Sequence, residues 1–196
     1  LTIDDPTTPA LENKEGMGWA GSDLVKFLGR VYTLGTWPNT SEQTLAYNLL
    51  GITTTPELYN FFRVKYTPGE TIPKGPGILS YYFGFDDPST PYDPLTGLGR
   101  EGLNWEVSEL VSFLKGVDVV AKSAQARTVL LGEGKTEQDF WLAYKDPTNA
   151  LSGNISFYLG KDDPTTPNIE GGWTGDDLVS YLTKIDELRT HADRQQ

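Results

Sequence analysis

Apolar residues recur at helical spacing in three places along the chain. They are Leu24, Val25, Leu28 and Val31; Leu110, Val111, Leu114 and Val117; and Leu178, Val179, Leu182 and Ile185. Positions i, i+1, i+4 and i+7 fall on one face of a 3.6-residue turn and the residues between them are polar, so each stretch predicts an amphipathic helix. A Trp precedes each stretch at the same distance: Trp19, Trp105 and Trp173. Each ring is expected to pack back on its own helix as a staple. Thr174 and Asp177 have the spacing of a capping box, and Ser22, Ser108 and Asp176 are alternative caps.

Between these helices lies a second shared pattern. Leu49-Leu50-Gly51 matches Leu130-Leu131-Gly132, Phe61-Phe62 matches Phe140-Trp141, and Tyr66 matches Tyr144. The aromatic run Ser80-Tyr81-Tyr82-Phe83-Gly84 matches Ser156-Phe157-Tyr158-Leu159-Gly160. Aromatic density beside Gly- and Pro-rich gaps reads as antiparallel strands joined by an irregular hairpin. Residues 41–50 and 123–131 fit short helices or strands equally well by period. The pattern predicts an α+β fold: two tandem homologous helix-plus-antiparallel-hairpin units, packed as a pseudo-twofold continuous sheet, with an extra C-terminal helix. The repeat of about 80 residues divides the chain into unit 1 at 1–85, unit 2 at 86–160, a third turn and helix at 161–190, and a polar tail at 191–196.

Ahead of each Trp stands an Asp-Asp-Pro turn: Asp4-Asp5-Pro6, Asp86-Asp87-Pro88 and Asp162-Asp163-Pro164. The Asp side chain caps its own backbone and Pro sets the turn, so the motif reads first as the end of a strand. Paired carboxylates beside hydroxyls also suit an oxygen-rich cation site, which makes Asp86, Asp87, Asp162 and Asp163 the candidate Ca²⁺ ligands. The alternating acidic spacing and central Gly of an EF-hand loop are missing.

Composition narrows the partners. The 196 residues carry a net charge of −11, with no Cys, a single His191 and no apolar run of membrane-spanning length. No Lys/Arg cluster is present to displace counterions, which argues against nucleic acid and leaves proteins, glycans or divalent cations. Thiolate metal sites and disulfides are excluded. The chain begins at Leu1, as a processed mature form would, secreted, on a cell surface or inside an organelle; a trimmed chain would look the same. Asn39 and Asn154 head two sequons that a eukaryotic secretory route would be able to glycosylate.

Catalytic signals are sparse. Gly132-Glu133-Gly134-Lys135-Thr136 matches the end of a phosphate-binding loop, but Val129 stands where its first Gly belongs, so a turn is the better reading. A Ser-His-Asp triad would depend on His191, in the polar tail. No spacing singles out a glycosidase carboxylate pair among the 27 Asp and Glu. Trp37, Trp141, Tyr81 and Tyr158 are candidates for a sugar-stacking platform, but core packing is the better reading. The expectation is a non-enzymatic structural or assembly subunit, without a cofactor, acting through protein–protein contacts and self-association. A carbohydrate- or Ca²⁺-binding surface module is the alternative and a small carboxylate hydrolase the third reading. The first copy also lacks the aromatic run that precedes the other two helices, so its helix must find another surface for its stripe. Residues 1–35 are expected either to carry intersubunit contact or, equally, to close the monomer's own fold.

Overall fold

A computed structural model describes residues 19–62, 74–85, 102–146, 149–160 and 171–193, excluding the side chains of 74–77, 80, 192 and 193. Among the described residues the regular elements are helices: α1 Gly21–Gly35, α2 Thr40–Leu50, α3 Thr55–Asn60, α4 Lys74–Phe83, α5 Val107–Lys122, α6 Ala124–Leu131, α7 Glu137–Lys145, α8 Leu151–Leu159 and α9 Gly175–Asp193. None is long and apolar enough to cross a membrane. The chain divides into two compact units, residues 1–111 and 112–196, and the division falls inside α5.

In the first unit α1 packs on α3 and α4, and α2 packs on α4. Phe27, Val31 and Leu34 are buried on one face of α1, Leu58 on α3, and Leu79, Tyr82 and Phe83 on α4. Asn39 caps α2 by accepting from the amides of Ser41 and Glu42 at 3.1 and 3.3 Å. Gly51 ends α2 at φ 71°, a left-handed conformation that costs a residue with a Cβ about 1 kcal/mol or more. The α2 side chain Gln43 donates to Leu34 O at 2.8 Å, adding to the Trp37 amide at 3.3 Å on a carbonyl at the end of α1.

In the second unit α9 packs along α6 and α8, and α7 packs on both α6 and α8. Leu114, Val117, Val120, Phe140, Ile155 and Leu178 form its buried centre. Arg127 on α6 donates to Ala121 O at 2.6 Å and Lys135 O at 3.0 Å, clasping the end of α5 to the α6–α7 turn.

The expected hairpins, and with them the α+β class and its sheet, are overturned: among the described residues there is no strand. Both aromatic runs end helices, at the C-termini of α4 and α8. Short apolar runs do not distinguish a strand from a buried helix by composition, and burial here follows the helical period. Leu79, Tyr82 and Phe83 are buried at i, i+3 and i+4 while Tyr81 is exposed; Leu151, Ile155 and Leu159 are buried at i, i+4 and i+8 while Phe157 is exposed. Strand propensity yielded to packing.

Other local expectations also shift. Helical capping places Thr54 and Glu57 of α3 in the role of Thr136 and Asp139 of α7. Leu58 then matches Phe140, both fully buried, and the pairing of Phe61 with Phe140 is three residues out of register. Ser22, Ser108 and Asp176 lie inside their helices. The helix starts are held instead by Asp23, Glu109 and Asp177, which accept from the amides of Ala20, Glu106 and Thr174 at 3.0, 2.8 and 3.0 Å. Thr174 and Asp177 do form the expected reciprocal box.

Candidate functional site

The Trp-to-helix junctions ahead of α5 and α9 are built on helix-end chemistry. The last carbonyls of a helix have no partner within it. At the end of α4, Tyr81 O and Tyr82 O accept from the amides of Leu103 and Trp105 at 2.7 and 2.8 Å, and Gly84 O accepts from Asn104 at 2.9 Å. At the end of α8, Phe157 O and Tyr158 O accept from Gly171 and Trp173 at 2.7 and 2.8 Å, and Gly160 O from Gly172 at 3.1 Å. Asn104 and Gly172 occupy the same left-handed position, φ 51° and 59°. Trp105 then lies against Tyr82 with ring centroids 5.4 Å apart, and Trp173 against Tyr158 at 5.0 Å. Trp19 and Trp173 also reach their own helices, at Phe27 (5.2 Å) and Tyr181 (5.4 Å). The aromatic runs thus serve as the seats of the Trp rings.

Counting from the Trp places α1, α5 and α9 in one register. Val25 and Leu28 correspond to Val111 and Leu114 of α5, yet Val25 is 71% and Leu28 42% exposed whereas Val111 and Leu114 are 3% and 0%. Tyr32, one turn further on the same side of α1, is 63% exposed and stands where α5 and α9 have Asp118 and Asp186. The three side chains, at i, i+3 and i+7, make an uncovered apolar stripe. Buried Phe27, Val31 and Leu34 line the adjoining face.

The far side of α1 carries a charged junction. Among the described residues Arg30 is the buried charged side chain. Its guanidinium donates from Nη2 to Glu106 Oε1 at 2.6 Å and from Nε to the same oxygen at 3.1 Å. Its Nη1 donates to Phe83 O at 2.8 Å and Asn104 Oδ1 at 2.9 Å. The Arg30 guanidinium also stands over the Phe85 ring, 5.2 Å from its centre, and Lys26 Nζ is 5.6 Å away. These groups surround an open cleft of about 460 Å³ bordered by Gly29 and Thr33. Four hydrogen bonds engage four of the five guanidinium N–H donors, so the site is a latch between α1 and the start of α5.

The sites expected from sequence fare differently. Asp86, Asp87, Asp162 and Asp163, with all three Asp-Asp-Pro turns and Tyr66, lie outside the described residues. Among those described, no three or more His, Asp or Glu side chains cluster as a metal site would. Gly132 to Thr136 link helix α6 to helix α7, with Gly132 and Gly134 at φ 96° and 73°. The amide of Asp139 at the start of α7 is taken by Thr136 Oγ1 at 3.1 Å. His191 belongs to α9, which continues to Asp193. Trp37, Tyr81, Trp141 and Tyr158 go to separate places. Trp37 Nε1 donates to Glu42 at 2.9 Å, Tyr81 contacts Tyr82, Trp141 contacts Phe140 and Tyr144, and Tyr158 joins Trp173 and Tyr181.

Three carboxyls are held below their ordinary range by hydrogen bonds that cap helices. Thr53 and Thr54 hold Glu57 down, the Thr136 amide and hydroxyl hold Asp139, and the Thr174 hydroxyl and amide hold Asp177. Burial raises the Tyr158 hydroxyl, with Tyr181 adding to it. The carboxylate shifts run opposite to what a general acid needs. The Arg30 latch and the division of the α1 stripe into a buried and an exposed face were missed by sequence reading. The signal was there in Arg30 opposite Gly116, and in Tyr32 opposite two aspartates. No family model matches the chain, and no curated protein and no solved structure matches it.

Proposed function

We propose that this chain is a non-enzymatic structural subunit that works by self-associating through protein–protein contacts. The observation that carries the reading is the uncovered stripe Val25, Leu28 and Tyr32 on α1, at positions whose counterparts in α5 are buried or acidic. Burying such a stripe removes apolar area from water at about 25 cal/mol per Å². A single helix face is small against the roughly 1,600 Å² of a standard interface, so each contact is weak and fills with concentration. The negative net charge opposes non-specific clustering and leaves the apolar stripe to select the contact.

Sedimentation velocity over a wide concentration range tests it, with the wild type beside Leu28→Asp. The wild type is expected to shift to larger species with concentration, while the variant stays monomeric with unchanged helicity. A wild type that is monomeric throughout, or a variant that associates equally, would contradict the proposal.

A further inference from the structure

The three Trp-anchored helices differ in which of two faces is covered. One face holds Val25 and Leu28 in α1, Val111 and Leu114 in α5, and Val179 and Leu182 in α9. The other holds Phe27 and Leu34, Phe113 and Val120, and Tyr181 and Leu188. Helix α5, with α1 to α4 before it and α6 to α9 after it in sequence, buries all four of its residues. Helix α1 buries Phe27 and Leu34 but exposes Val25 and Leu28. In α9 the pattern reverses: Leu182 is buried and Val179 half-buried, while Tyr181 and Leu188 are 39% and 70% exposed. The first and last of the three helices therefore leave different faces open: Val25 and Leu28 in α1, Tyr181 and Leu188 in α9.

Resting on the assembly reading above, we infer that the α9 face of one copy seats on the α1 stripe of a second copy. The two surfaces answer each other chemically. Beside Tyr181, α9 carries an open cleft of about 430 Å³ lined by Trp173, Asp177, Ser180, Tyr181 and Lys184. That lining, two aromatic rings together with hydroxyl and charged side chains, suits an amphipathic aromatic ring such as Tyr32. In the two copies whose corresponding face is covered from within the chain, that position is an aspartate. Because the two surfaces are different, the contact is head to tail, and each added copy leaves one α1 and one α9 face open.

The test uses two full-length variants, Leu28→Asp on α1 and Leu188→Asp on α9, both at exposed positions. Tyr32→Asp, which installs the residue of the other copies, and Tyr181→Ser serve as second variants. Helicity and melting temperature are checked for each. Analytical ultracentrifugation is expected to show wild-type species that grow beyond dimer and both variants monomeric alone. An equimolar mixture of an α1 variant with an α9 variant is expected to form a 1:1 dimer and nothing larger, because only one intact face of each kind remains. If the wild type associates but Leu188→Asp and Tyr181→Ser associate as well as it does, or the mixture stays monomeric, this pairing is wrong while the assembly reading survives. A wild type that is monomeric at every concentration overturns both.

Discussion

The same junction is built twice and closed in two ways. In the second unit, Gly116 of α5 faces Gly175 at the start of α9 so closely that a Cβ on Gly175 would stand 2.6 Å from Gly116 O and 2.9 Å from Val119 Cβ. In the first unit, Arg30 of α1 stands at the register position of Gly116 and spans to Glu106, at the start of α5, with hydrogen bonds. One junction is closed by backbone contact, which leaves no room for a side chain on Gly175. The other is closed by a side chain in a fork, which keeps a cleft open along α1. Two copies of one pattern can thus share caps and Trp seats and yet differ in how much surface they leave available.

The largest expected effect breaks the tight junction. Gly175→Val is expected to cost about 3 kcal/mol in denaturant titration, because the neighbours are backbone and a β-branched side chain. Gly116→Ala is expected to stay under about 1 kcal/mol, since its added Cβ meets the movable Leu159 Cδ1 at 3.3 Å. Equal losses would mean that the junction is not closed where the glycines meet.

Next comes the latch. Arg30→Met leaves the buried Phe83 carbonyl without its guanidinium donor and is expected to cost about 2 kcal/mol. Arg30→Lys is expected to recover only part of this, because an ammonium cannot serve Glu106, Asn104 and Phe83 in one plane. Full rescue by Lys would reduce the latch to a point charge. At the left-handed position, Gly172→Ala should cost about 1 kcal/mol. Asn104→Ala should cost more than that, because it also removes an acceptor of Arg30. The reverse order would separate Asn104 from the latch.

Three repeated helices were legible because Leu110, Val111, Leu114 and Val117 and their counterparts keep a strict helical period. Helices α4 and α8 were misread because Tyr81-Tyr82-Phe83 and Phe157-Tyr158-Leu159 are short and aromatic, and their purpose, seating a Trp from the next segment, is a long-range contact no local window contains. The candidate surface was half legible. The stripe on α1 was visible in sequence, but its division into a buried and an open face depends on which helices arrive beside it. Phe27 and Leu34 are covered by later elements; Val25 and Leu28 are not.

The smallest effect is electrostatic. Asp177 caps α9 with its carboxyl held below the ordinary range, chiefly by Thr174. A carboxyl with a lower pKa folded than unfolded stabilises the fold above its unfolded value, and that contribution fades as pH falls through the folded value. Glu57 and Asp139 act in the same direction. Melting temperature is therefore expected to fall as pH drops below the ordinary carboxylate range, with a shallower fall in Asp177→Asn. An unchanged slope in that variant would remove Asp177 from the acid response.

The most direct test of the central claim is hydroxyl-radical footprinting of Tyr32 along a dilution series. Tyr32 is expected to be protected in concentrated protein and to react freely when dilute, while buried Tyr47 stays unreactive at both ends. Equal Tyr32 reactivity at all concentrations, in a protein whose mass still grows, would show that the α1 stripe is not the contact.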